Sequence, residues 1–254
     1  MPDKTHRLAV GDIKITIFSD GYLQDPQVQF GLNILYIESG ARKMLLDNGC
    51  GAMFQGGTAG HLLKNLTEEG IKPADIDTII FDHGHIDHVC GTTDEKGRPV
   101  FPNARYIITK KDWAYIEAGP TDDKTQNDLF APARKYLVPL KDRFELVGDN
   151  YEIGPGIKFV PAHGHTPGNS MTDFSSKGEH MLSMGDTVHS LRELTEPAHC
   201  AAFDVNSEEA IKTRSKILPG LVKDGTFVFA THFAFPGLGH FREKKGVISW
   251  EPIK

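Results

Sequence analysis

Residues 83–88 read His-Gly-His-Ile-Asp-His, three imidazoles and a carboxylate in six positions, directly after the apolar run Thr78-Ile79-Ile80-Phe81. Any one of the twelve histidines taken alone is an ordinary surface or core residue. Four ligand-type side chains in one short run point to a metal site. A strand rises about 3.3 Å per residue and alternates its side chains, so His83 and His85 are expected to face one ion while Asp87 and His88 turn towards a second. Catalytic zinc takes neutral imidazole and carboxylate donors and keeps one position open for water. The chain therefore has to fold so that a buried strand delivers this loop to further donors.

Composition narrows what else the chain can be. With 254 residues, 39% hydrophobic and 24% charged, it can build one substantial core, and a single domain over 1–254 is expected. The 28 Lys+Arg against 34 Asp+Glu give a net charge of −6. With no basic run to neutralise a phosphate backbone, nucleic acid is excluded as a partner and a small molecule is expected instead. The polar start Met1-Pro2-Asp3-Lys4-Thr5-His6-Arg7 lacks the apolar stretch of a secretory signal, and no run is long enough to span a bilayer. No membrane association and a cytoplasmic location are expected. Cys50, Cys90 and Cys200 are odd in number and far apart, which argues against a disulfide framework.

Strand and helix patterns alternate along the chain without repeats or linkers. Ile13–Ile17 alternates strictly, and Leu32–Ile37 and Lys43–Leu46 follow as strands of a meander, separated by Gly40 and closed by Asp47-Asn48-Gly49. Ala59–Glu69 carries Leu62, Leu63 and Leu66 at helical spacing with Gly70 as a stop. Thr78–Phe81 and Arg105–Thr109 read as strands, Lys111–Ala118 and Asp128–Leu137 as helices, Phe144–Met184 as a second strand-rich stretch. Ser207–Leu218 reads as a helix capped by Ser207, with Glu208 and Glu209 in its first turn where the dipole favours negative charge. The strand Thr226–Ala230 then leads to Thr231-His232. Two strand-rich halves with helices give an α/β chain folded as a four-layer αββα sandwich, two mixed sheets face to face.

Five motifs in order resemble those of the metallo-β-lactamase fold hydrolases, and the resemblance covers nearly the whole chain. They are Leu45-Leu46-Asp47-Asn48-Gly49, residues 83–88, Pro161-Ala162-His163-Gly164-His165-Thr166-Pro167-Gly168, Ser183-Met184-Gly185-Asp186-Thr187 and Ala230-Thr231-His232. The resemblance implies two zinc ions, or other divalent transition metals. His83, His85 and His165 would hold one, Asp87, His88 and His232 the other, with Asp186 and a hydroxide between them. Water on zinc has its pKa lowered to roughly 7. Asp87 would orient that nucleophile and carry a proton to the leaving group. His163 is read as a supporting or loop histidine, and His6, His61, His180, His189 and His199 as solvent-facing or structural.

Within the family, the chain continues only to Lys254 after His232, which leaves no room for the helical glutathione-binding domain of glyoxalase II-like members. No basic patch suits a ribonuclease. The tyrosine that some acyl-homoserine lactonases carry between the fourth and fifth motifs is absent from Thr187–Thr231. The stretch His232–His240, with Gly11-Asp12 and Ser19-Asp20-Gly21, is similar to methyl parathion hydrolase and its lactonase and arylesterase relatives. An apolar ester, aryl ester or lactone is the expected substrate, with phosphotriesters as a side activity. Phe233, Phe235 and Leu238 in the apolar stretch, and Trp113, are candidate pocket residues; for Trp113 a core position is the competing reading. Asp82, Cys90 and Asn169 depart from the usual pattern without removing a ligand. Relatives often form dimers, so a homodimer is an expectation. The alternatives are an iron-dependent redox protein, a hydrolase of a lactam or thioester, and a binding module with a vestigial site.

Overall fold

The strict alternation at 13–17 folds into a strand whose isoleucines face inward. In the computed structural model, which describes residues 4–24, 29–51, 57–196 and 198–253, this strand is β2 (Ile13–Gln24). It lies between β1 (Thr5–Val10) and β3 (Gln29–Ser39), and β4 (Arg42–Leu46) completes an antiparallel meander. Strands β5 (Thr78–Ile80), β6 (Arg105–Thr109) and β7 (Phe144–Val147) add in parallel, so the first seven-stranded sheet is mixed. The second seven-stranded sheet contains β8 (Glu152–Gly154), β9 (Ile157–Pro161), β10 (Ser170–Ser176), β11 (Glu179–Ser183), β12 (Val228–Phe229), β13 (Leu238–Lys244) and β14 (Val247–Pro252). Its neighbours are antiparallel except β11 and β12, which run parallel.

Side-chain parity along the strands builds the layers. Ile13, Ile15, Ile17, Leu35, Ile37 and Leu46 meet Phe159, Phe174, Met181 and Phe229 in a core between the sheets. Phe18, Ile34 and Tyr36 face the other way. There they pack with α1 (Leu62–Glu68), α3 (Lys110–Ala118) and α4 (Lys124–Tyr136) through Leu66, Trp113, Ile116 and Phe130. On the outer face of the second sheet, Met171, Leu182, Val228 and Phe241 pack with Leu194 of α5 (Arg192–Thr195) and Leu218 of α6 (Ser207–Asp224). Three apolar cores between four layers make the expected αββα sandwich. Each fully buried Leu, Ile, Phe or Met contributes about 1.5–3 kcal/mol relative to exposure. No helix among the described residues is long and apolar enough to cross a membrane.

Several boundaries differ from the sequence reading. The helix expected at Ala59–Glu69 is confined to Leu62–Glu68. The one expected at Asp128 begins at Lys124, because the Asp123 side chain accepts from the Gln126 amide and starts the helix a turn earlier. Helix α6 is capped by Asn206, not Ser207: the Asn206 Oδ1 accepts from the Glu209 amide at 3.1 Å. It also runs past Pro219 to Asp224, since Leu221 and Val222 continue the apolar stripe and Gly225, with φ 61°, supplies the left-handed stop. Proline removes one N–H there, and the packing beyond it outweighs that loss.

Strands β4, β5, β9, β11 and β12 all end at one edge of the sandwich. Asp47, His83, His165, Asp186 and His232 follow those ends. Ligand sites in α/β sheets commonly lie at the carboxyl ends of strands, and this edge is where the donor motifs of both sheets meet.

Candidate metal centre

His83 and His85 are not strand residues, contrary to the alternation argument. Strand β5 stops at Ile80, residues 81–85 form a loop, and Asp87 and His88 sit on the one-turn helix α2 (Ile86–Val89). The same side chains nevertheless come together in groups. One atom each of His83, His85 and His165 lie within 4.8 Å of one another, and so do atoms of Asp87, His88 and His232. Asp186 stands between the two groups. Its Oδ2 is 3.3 Å from His165 Nε2, 3.7 Å from His83 Nε2 and 3.0 Å from His232 Nε2; its Oδ1 is 3.4 Å from His88 Nε2.

The opposite nitrogens explain why these rings point inward. His83 Nδ1 is 2.8 Å from Asp82 Oδ1, His88 Nδ1 is 2.9 Å from Asp47 Oδ2, and His165 Nδ1 is 2.9 Å from Asp204 Oδ1. His232 Nδ1 meets the Gly31 carbonyl oxygen at 3.0 Å. An acceptor on Nδ1 fixes the tautomer and leaves the Nε2 lone pair for a cation, the arrangement common around ligating histidines. Burial, the largest influence, pushes His83, His85 and His165 well below the usual imidazole range, so they are neutral. Burial also opposes the charged forms of His88 and His232, but Asp186 and neighbouring carboxylates outweigh it and hold both above that range. Burial disfavours ionised Asp186 as well, and His232, His88 and His83 overcome this to hold its carboxyl well below the usual range.

The donor set fits a metal. His85 Nε2, His88 Nε2 and Asp186 Oδ1 are buried with no aligned hydrogen-bond partner. Leaving such atoms unmatched costs about 1–3 kcal/mol each, and they converge on one small volume. Imidazole and carboxylate together suit zinc and several other transition metals.

Further side chains hold the loops in register. Asp112 on α3 accepts from the Gly84 amide at 2.9 Å, the Thr166 hydroxyl at 3.0 Å and the Gly168 amide at 2.6 Å, tying the second motif to the third. Burial pushes its carboxyl up to about 6. A Cβ on Gly168 would lie 2.0 Å from Thr109 Oγ1, so only glycine permits this approach. Across the sheets, Gly31 N–H donates to the His232 carbonyl, and Asn33 Nδ2 donates to the carbonyls of Thr231 and Phe233 at 2.9 and 2.8 Å. Asn169 accepts from the Asp186 amide at 3.3 Å and donates to Ala162 O. Asp204 lies 39 residues from the histidine it braces, and no local spacing announces it. Replacing it by Asn is expected to weaken metal affinity about 10–100-fold, as measured by competition with a chromophoric chelator.

Of the candidate pocket residues, Phe235 lines a cavity of about 580 Å³ shared with Tyr22, Gly31, Asn33 and His61. Trp113 is buried against Phe144, Leu238 lies in the core between the sheets, and Phe233 packs on Trp250. Their apolar area is used in packing. The half-buried aromatics beside the donors are instead Phe30, 6.0 Å from the His232 ring, and Phe203, 4.9 Å from the His189 ring and 6.2 Å from Phe30. His163 lies outside the cluster, with its Nε2 2.8 Å from Lys111 Nζ and 3.2 Å from Asp149 Oδ2. His189, read as solvent-facing or structural, is a buried ring whose Nδ1 is 3.1 Å from Glu193 Oε1. It is 3% exposed, and its Nε2 is 3.3 Å from Asp186 Oδ2.

Known proteins place this arrangement. The family model described as "Metallo-beta-lactamase superfamily" matches residues 29–232, from the start of β3 to the last candidate donor. An N-acyl homoserine lactonase of Bacillus cereus is 27% identical over 192 residues, covering 71% of this chain and 69% of that protein. One from a Bacillus species is 26% identical over 184 residues, covering 68% and 66%. Among solved structures, the hydrolase AbOPH of the beta lactamase superfamily superposes with a TM-score of 0.88 at 27% identity, covering 100% of this chain and 99% of that one. AidC, a dizinc quorum-quenching lactonase in complex with a product, has the same fold, with a TM-score of 0.90 at 24% identity and 99% of each chain covered. The family match over both sheets shows that this chain belongs to the metallo-beta-lactamase superfamily.

Proposed function

We propose that the protein is a dinuclear zinc hydrolase acting on an apolar ester, aryl ester or lactone. The observation that carries this is the convergence of six donors from both sheets around Asp186, the seventh, with four of the imidazoles braced at Nδ1. His83, His85 and His165 would hold one ion, Asp87, His88 and His232 the other, and Asp186 would be shared. Zinc bound there supplies Lewis acidity and lowers the pKa of water to about 7. The chain's own side chains then divide the remaining work. Asp87 has the most exposed carboxylate of the donors, 9% exposed as a residue, and would pass a proton to the leaving oxygen. Phe30 and Phe203 offer apolar edges beside the reacting centre, which suits an acyl or aryl group.

The lactonase names of the relatives support the ester and lactone class. The test is a substrate panel on zinc-loaded protein with the metal content measured in parallel. It comprises 4-nitrophenyl acetate, γ-lactones, N-hexanoyl homoserine lactone and an aryl phosphotriester. The expected result is turnover of the esters and lactones with two ions per chain and slower turnover of the phosphotriester. A protein that carries two ions yet hydrolyses none of these refutes the substrate assignment.

A further inference from the structure

The cavity of about 580 Å³ that Phe235 lines has none of the seven candidate donors among its described lining residues, yet two of those residues carry a buried polar atom with nothing to bind. Asn33 on β3 and Asn65 on α1 both line it and are 2% and 3% exposed. What their amides already hold fixes the orientation of each. Asn33 Nδ2 meets the carbonyl oxygens of Thr231 and Phe233 at 2.9 and 2.8 Å, and Asn65 Nδ2 meets that of Ser19 at 2.7 Å. Only the NH2 end of an amide can donate to a carbonyl, so in both residues Oδ1 is the end left over. Each Oδ1 is buried without a hydrogen-bond partner. A buried acceptor left unmatched is costly, and two of them, from separate elements at one cavity, call for an occupant that donates to both.

The rest of the lining narrows the chemistry of that occupant. No carboxylate is among the described lining residues, whereas Lys4 is, 3.5 Å from Glu68 Oε2. An ammonium ion would therefore be desolvated there without a counter-charge in the cavity wall. A carboxylate ligand would set its own acceptors against the two Asn oxygens. A hydroxyl both donates and accepts, so several on one carbon skeleton can donate to Asn33 and Asn65 and accept from Lys4 Nζ. Tyr22, 38% exposed, and Phe235 offer ring surface for the C–H face of such a molecule. The volume lies within the range of small-molecule pockets, about 300–1,000 Å³. We propose that this cavity is a second binding site, taking a neutral polyhydroxylated molecule, a polyol or monosaccharide, through hydrogen bonds to Asn33 Oδ1 and Asn65 Oδ1. The site goes beyond the hydrolase reading and stands without it, since no assigned metal donor takes part. Gly31 adjoins both places: it lines the cavity, its N–H donates to the His232 carbonyl, and its own carbonyl meets His232 Nδ1.

The test titrates the zinc-loaded protein with glucose, myo-inositol and glycerol, and separately with acetamide and methylammonium chloride. NMR follows the side-chain NH2 signals of Asn33 and Asn65, and calorimetry follows the heat. At least one of the polyols is expected to shift both pairs of signals saturably, while methylammonium shifts neither. In Tyr22→Ala and in Asn65→Leu the binding is expected to weaken about three- to tenfold, the worth of one ring contact or one hydrogen bond. Leu191→Ser, at a residue 58% exposed and outside the described lining, should leave it unchanged. Tyr22→Ala carries the test if Asn65→Leu does not fold, because the Tyr22 ring is partly in solvent. No shift with any of the polyols overturns the proposal and leaves both acceptors to water. Shifts with acetamide or methylammonium and with no polyol overturn the ligand class. Polyol binding that neither variant weakens overturns the site.

Discussion

Exhaustive chelation will abolish ester hydrolysis and lower the melting temperature by about 10 °C or more, and added zinc will restore both. The stability change follows from linkage. A ligand that binds only the folded chain at about 1,000 times its dissociation constant contributes about 4 kcal/mol. For a domain of this size each kcal/mol moves the midpoint by about 2–4 °C. The donors make the direction unambiguous: His85 Nε2, His88 Nε2 and Asp186 Oδ1 are buried without aligned partners, so the stripped protein bears their desolvation uncompensated. The checks are calorimetry and turnover before chelation, after it, and after reloading. Full activity in a preparation shown to be free of metal would contradict the centre as assigned.

The second large effect concerns Asp87. Its Oδ2 is 3.7 Å from His88 Nε2 and 3.6 Å from His232 Nε2, so it lies with the two imidazoles proposed to share its ion. Asp87→Asn keeps the shape and one oxygen but cannot carry a proton. Proton transfer by a positioned side chain contributes about 10²–10⁴-fold. The loss is expected to be of that order for lactones and alkyl esters, whose leaving alkoxide needs a proton. It should be much smaller for 4-nitrophenyl acetate, whose phenolate departs unaided. Comparing kcat for the two substrate types at measured metal content separates the proton role from ligand loss, since loss of an ion would depress both alike. Full turnover of a lactone with both ions in place would remove the role.

The layered fold was legible because it is written in short-range patterns. The alternation at Ile13, Ile15 and Ile17 and the buried run at Thr78–Ile80 each fix which face a strand presents. The run at 83–88 stood out for a chemical reason, since His and Asp crowded in so few positions have few other uses, whereas His165, Asp186 and His232 were assigned only through the resemblance of their motifs to the metallo-β-lactamase pattern. What escaped is set by contacts distant in sequence. Asp112 reaches Gly168 across 56 positions, and Arg214 reaches Glu193 across 21. Neither residue stands out from its helix in sequence, and only the folded backbone brings it to its partner. His189 was passed over because a histidine three residues beyond Asp186 has no signature until Glu193 is seen to restrain its ring. The α6 cap failed more simply: Asn206 and Ser207 are both competent caps, and sequence cannot choose between neighbours.

Each ion position draws on both halves of the sandwich. His83 and His85 follow the first sheet while His165 follows the second, and Asp87 and His88 are likewise matched by His232. Neither half alone offers three of the assigned donors to either proposed ion position. On the proposed assignment, loading would be in effect a proofreading event: the full donor set forms only in molecules whose two halves have closed correctly on one another.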